Sequence, residues 1–170
     1  QEQLIRVTEL AARFGARLHV HAAESDGEDD AVHARHGDRP LPVLGAAGVL
    51  GPGTVVAHAV QLNHADIGLL ATTGSAVAHC PVSNLNLGCG IAPLPELLDA
   101  GVAVGIGTDG AASAGALDMF EGIRLAALLH KGVTRDPRTV GAERAVRMAT
   151  AGGAAVLGLE DRIGSLTVGK

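Results

Sequence analysis

His21, Glu24, His58, His79 and Asp109 are the residues of this chain whose types and spacing suit hydrolytic metal chemistry. Each lies at or just beyond the end of a short apolar run. Neutral imidazole nitrogens and carboxylate oxygens are good donors to zinc or ferrous iron. An Asp at position 109 can hold such an ion and accept a proton from its water, because binding lowers the pKa of that water from about 15.7 to about 7. His79 can stabilise the resulting hydroxide and a developing tetrahedral centre. Glu24, just past His21, can carry a proton between that water and a substrate ring nitrogen; a carboxylate at a helix start is an equally good use of it. His19 and His21 share a strand face. His21 is nearer the strand end and is the preferred ligand, which leaves His19 as a supporting or simply packed residue.

A single His at a strand end is more often packed or hydrogen-bonded than metal-bound. The site reading rests on the coincidence of three run ends bearing His and a fourth bearing Asp. His33, His36, His64 and His130 fall in helical or loop segments and read as structural or exposed. The segment Pro81–Pro93 (PVSNLNLGCGIAP) reads as a loop whose Ser83 and Asn84 approach a substrate. Gly88-Cys89-Gly90 lacks the surroundings of a phosphate-binding loop, and Cys89 has no activating base beside it in sequence.

The elements that must position these residues follow one grammar. Arg17–His21, Thr54–His58, Ala76–Cys80 and Ala103–Asp109 are continuous apolar runs, as expected for strands buried on both faces. Helix-compatible stretches lie between and around them: Gln1–Phe14, with Leu4, Val7, Leu10 and Ala11 at helical spacing; a polar segment to His36; the apolar Leu41–Leu50; Asp66–Thr73; Pro93–Ala100; Ala116–His130; and Ala142–Leu157, interrupted at Gly152-Gly153. Strands alternating with helices imply an α/β fold with a parallel sheet, and polar residues at successive strand ends imply the active face of a (β/α) barrel. Four strands are too few to close a barrel, which takes about 250 residues.

Composition narrows the function further. Of the 170 residues, 47% are hydrophobic and 18% charged, which places the chain among well-buried globular proteins. With two Phe and no Trp or Tyr, it has no stacking platform for single-stranded nucleic acid. A net charge of −5 without a basic cluster disfavours phosphate contacts. No apolar run approaches a membrane span, and the start of the chain does not look like a signal peptide. Cys80 and Cys89 form no disulfide framework, so a reduced, cytoplasmic setting is expected.

HVHAAES (19–25), VAHAV (56–60), AHCPVSNLNLGCGIAP (78–93) and GIGTDGAASAGALDMFEGIRLAALL (105–129) resemble the amidohydrolase superfamily. The likeness is greatest to the branch holding the 5-methylthioadenosine/S-adenosylhomocysteine deaminases and the triazine chlorohydrolases. It implies a TIM-type barrel with one divalent metal at the strand ends, zinc or iron. By that likeness His21 and His58 are metal ligands, Glu24 is the proton shuttle, His79 stands beside the attacking water, and Asp109 is the last ligand and base. The implied reaction adds hydroxide to the amino-bearing carbon of an adenine-type nucleoside and releases ammonia.

The family's first strand carries an HxH ligand pair, and none precedes Gln1; His19-Val20-His21, followed by Glu24, resembles the fifth strand instead. The expectation is therefore the C-terminal half of a TIM-type barrel over 1–158, with 159–170 opening a truncated flanking β-sandwich segment and weak or no turnover by the chain alone. Two other readings stay open. One is a triazine or pyrimidine amino- or chlorohydrolase. The other is a non-catalytic half-barrel whose open sheet edges pair with a second copy or a partner.

Overall fold

The computed structural model describes residues 2–170, so Gln1, the expected start of the first helix, lies outside the described residues. Four strands, β1 (Leu18–Ala22), β2 (Thr54–His58), β3 (Ala76–His79) and β4 (Val104–Ile106), form one parallel sheet in chain order. His21 is in register with Ala57, Ala57 with Ala78, and Ala78 with Gly105, so all four C-terminal ends reach the same rim. The helices are α1 (Glu2–Phe14), α2 (Asp26–His36), α3 (Pro40–Ala46), α4 (His64–Thr73), α5 (Pro81–Asn86), α6 (Leu94–Asp99), α7 (Ala111–Ala114), α8 (Met119–Thr134), α9 (Ala142–Ala149) and α10 (Ala151–Val156). This is the expected α/β half-barrel, with local departures. Pro81–Asn86 is helical rather than loop, started by Pro81, whose fixed φ and missing N–H suit a first helical turn.

Side chains alternate across each strand. Ala22, Val56, Val77, Val104 and Ile106 join Leu41, Leu44, Ile67, Leu70, Leu94 and Leu97 in the main core, under the helices that cover one face of the sheet. Burying each such Leu contributes about 1.5–3 kcal/mol. The opposite face carries His19, Val55, Ala78 and Gly105 and borders an open cavity of about 800 Å³ whose far wall includes Met119 and Leu166. The amphipathic α1 is only partly used: Leu4 packs on the core, but Val7 and Leu10 remain exposed.

Several elements are tied by identifiable bonds. Asn63 and Asp66 cap the start of α4 reciprocally. The Arg39 guanidinium meets Asp29 at 2.8 Å and the buried Asp66 at 3.0 Å, joining α2 to the start of α4. The last helical pair breaks at Thr150 rather than at the glycines. Gly152 and Gly153 are needed instead for close approach, because α10 folds back over the sheet and an added Cβ on Gly105 would stand 3.1 Å from the Gly153 Cα. Val156 then packs on Val55 and Ala76, while Arg17 Nη2 donates to the Val156 carbonyl at 2.8 Å. Residues 159–170 form turns and no strand. No described helix is long and apolar enough to cross a membrane.

His79 and His130 are each 1% exposed, and their ring centroids are 5.7 Å apart. Burial pushes His79 down to about 3 and also lowers His130, so the folded protein holds both rings neutral.

Two outcomes follow from this packing. Gly105→Ala should cost about 1–3 kcal/mol by overpacking the β4–α10 contact. Gly68→Ala, in α4 with nothing within 4 Å, should be neutral or stabilising by up to about 1 kcal/mol; urea unfolding of both variants checks this. The second outcome concerns acid. Below pH 6.5 the unfolded chain protonates His79 while the native state does not, so this residue's stability contribution falls with pH down to about 3. The loss is at most about 1.4 kcal/mol per pH unit. Unfolding midpoints at pH 7, 5 and 4 should therefore fall more steeply for the natural chain than for His79→Phe, and equal slopes would contradict the neutral assignment.

Candidate metal centre

The parallel register brings strand ends together, but the local backbone decides where their side chains point. His21 lies on the concave face of β1 by simple alternation. His58 is in phase with Val56, which faces the helices, and would point away from His21 if the strand continued. Instead His58 and Ala59 adopt left-handed backbone, with φ of 72° and 49°. This turns the chain at the rim and brings the His58 ring to 5.2 Å from that of His21, between centroids. Asp109, three residues past β4, has φ of 59°. Such values are sparsely populated for non-glycine residues and cluster where function demands an unusual side-chain direction. The rim is pinned by backbone bonds: Val60 and Gln61 N–H both donate to the Ala23 carbonyl at 2.8 Å, and Gly107 N–H donates to that of His79 at 2.9 Å.

The result is a cluster in which one donor atom each from His21, His58 and Asp109 lie within 4.8 Å of one another. Donors about 2.0–2.2 Å from one tetrahedral ion stand ~3.3–3.6 Å apart, so the three donors draw in by at most ~1.5 Å to share a cation. Two imidazoles and a carboxylate fit zinc or ferrous iron. The site has a prepared second layer. His58 Nδ1–H donates to Asn84 Oδ1 at 2.9 Å, which fixes the tautomer and leaves Nε2 as the free ring nitrogen. Ser83 Oγ donates to Asp109 Oδ2 at 2.6 Å. This bond first, and then the Gly110 N–H and the two imidazoles, holds the Asp109 carboxyl below the usual range and so keeps it anionic.

Glu24 stands beside the cluster, with Oε1 3.7 Å from His58 Nδ1. The helix start that competed for it is already served: Ser25 caps α2, and Glu28 Oε2 accepts from the Glu24 N–H at 2.7 Å. The Glu24 carboxylate is thus available to the site. Cys89 Sγ approaches it at 3.9 Å, on a loop fastened by a 2.9 Å bond from Gln61 Nε2 to the Cys89 carbonyl.

Ser83 and Asn84 are 0% and 1% exposed, and α5 places them against the cluster, where they bond Asp109 and His58. His79 lies outside the cluster. Ending β3 in phase with Val77, it is sealed against His130 of α8, with neither ring nitrogen hydrogen-bonded. His130, read as unremarkable from sequence, is its buried companion. Helical phasing from Pro81 is the signal for the Ser83 and Asn84 contacts; strand alternation gives the direction of His79 but, applied to His58, points it the wrong way.

The comparisons with known proteins agree with this architecture. The amidohydrolase family matches residues 1–170, the whole chain. The 5-methylthioadenosine/S-adenosylhomocysteine deaminase of Pelotomaculum thermopropionicum is 51% identical over 160 residues, covering 94% of this chain and 37% of that protein. An adenosine deaminase from Xanthomonas campestris, solved with bound zinc, superposes with a TM-score of 0.94 at 42% identity, over 98% of this chain and 38% of that one. The zinc complex of atrazine chlorohydrolase from Arthrobacter aurescens gives 0.92 at 34% identity, over 99% and 37%. The chain thus spans well under half the length of the relatives it matches. With its parallel sheet, its rim of histidines and aspartate, and a match along its full length, this chain belongs to the amidohydrolase family.

Proposed function

We propose that this chain is the C-terminal half of the barrel of a metal-dependent hydrolytic deaminase acting on adenine-type nucleosides: 5-methylthioadenosine, S-adenosylhomocysteine or adenosine. The observation that carries the reading is the His21–His58–Asp109 cluster with Glu24 3.7 Å from His58. The names of the similar deaminases support the nucleoside substrate. In this reading His21, His58 and Asp109 hold one divalent cation. Its donors favour zinc, as does the zinc in two solved relatives; it supplies a nucleophilic hydroxide from water at neutral pH. Asp109, kept anionic by Ser83, accepts the proton given up as the water attacks the amino-bearing carbon. Glu24 delivers a proton to the ring nitrogen, the proton held by Asp109 passes to the amino group, which leaves as ammonia, and the added hydroxyl becomes a carbonyl as its proton returns to Glu24. Asn84 keeps His58 in one tautomer throughout. The division at residues 158 and 159 into barrel and flanking β-sandwich belongs to this same proposal.

A second reading replaces ammonia by chloride on a triazine ring, favoured by the likeness to atrazine chlorohydrolase. Both reactions use the same rim, and a substrate panel separates them.

In the polypeptide extended by the barrel's other strands, 5-methylthioadenosine should release ammonia, with little or no chloride from atrazine. Glu24→Gln should lower that rate about 100-fold or more while one equivalent of zinc stays bound, and Asp109→Ala should lose the zinc. Unchanged turnover in Glu24→Gln would remove the shuttle; chloride release as the faster reaction would favour the triazine reading.

A further inference from the structure

The His79–His130 pair is left without a task by the proposed chemistry, and its energetics are not neutral. His79 Nδ1 and Nε2 and His130 Nε2 are all buried without a hydrogen-bond partner among the described residues. Leaving a buried nitrogen unpartnered is destabilising, and nearly all such groups in native proteins are satisfied by protein or by an ordered water. Both rings are neutral, so each offers one N–H donor and one lone pair. A water molecule, with two hydrogens and two lone pairs, complements that pair. Two ring nitrogens bonded to one water stand roughly 4.4 Å apart at ordinary bond lengths. Rings with centroids 5.7 Å apart and tilted by 50° can present nitrogens at that separation.

The location gives the pair a consequence. His79 ends β3, and α5 begins two residues later at Pro81. That helix packs against α8, which carries His130. It also supplies Ser83 to Asp109 and Asn84 to His58. Whatever fixes the β3 end against α8 therefore fixes both of the side chains that orient the metal cluster.

We propose that His79 and His130 form a buried polar joint, bridged by one internal water molecule, that positions α5 and through it His58 and Asp109. His79 is then a positioning residue, not a group that touches the reacting atoms. The second half of the inference rests on the metal-site reading; the bridging water does not.

The test uses this chain with histidine labelled by nitrogen-15. In the natural sequence at pH 7, both rings should be neutral and show cross-relaxation to a long-lived internal water, and His58 should carry its proton on Nδ1. His130→Phe fills the space without a ring nitrogen. It should abolish the water signal, disturb the His58 Nδ1–H resonance and weaken zinc binding about tenfold, the lower end for loss of a ligand's hydrogen-bonded support. His130→Gln keeps a polar atom and should restore most of both. Absence of the water signal in the natural chain would overturn the joint. A His130→Phe protein that loses stability but keeps its zinc affinity and His58 tautomer would reduce the pair to packing. If the natural chain binds no zinc at all, the metal reading fails, while the water signal and the His58 tautomer still decide the joint.

Discussion

A parallel sheet has one rim to which every strand delivers its C-terminal end, and the placement of every candidate site residue follows from that geometry. His21, His58 and Asp109 are separated by tens of residues in sequence, yet they follow strands in a single continuous register. No local motif could assemble them. The sheet brings their backbones close, and left-handed turns at His58, Ala59 and Asp109 complete the convergence that alternation alone would have denied to His58.

Convergence is not sufficient for chemistry; the side chains must also be held. That task falls to α5, a helix of six residues between the third and fourth strands. Its Ser83 and Asn84 are fully buried and bond outward to a carboxylate and an imidazole on other strand ends. Such support raises ligand basicity and fixes ring orientation. The cluster is therefore two-layered: an inner set of donors from the strand tips, and an outer set from one short helix.

Much of this was legible in the sequence. The apolar runs placed all four strands, and Gly74 and Gly101 marked where the helices after the second and third strands stop. His21, His58 and Asp109 are the ligands that the family resemblance implies, each at or near the end of an apolar run, and the structure brings them together. What failed has a physical cause in each case. Pro81–Asn86 looked like loop because Ser and Asn favour turns, but Pro at the first position and buried contacts favoured a helix. His58 and His79 both end apolar runs, and the sequence reading places both at the metal centre, the first as ligand and the second beside the attacking water. Only backbone conformation separates them: His58 turns left-handed into the rim, whereas His79 stays in phase with Val77 and enters the helix-covered core. Single-residue φ reversals of this kind have no signature in residue type outside glycine, so sequence alone does not foretell them.

The central claim is that two imidazoles and one carboxylate from separate strand ends share one cation. X-ray absorption at the zinc edge of the zinc-loaded chain tests it most directly. The expected spectrum has a first shell of nitrogen and oxygen only, with the outer scattering of two histidine rings, falling to one ring in His58→Ala. A sulfur scatterer from Cys89 or Cys80, or a spectrum unchanged by His58→Ala, would contradict it.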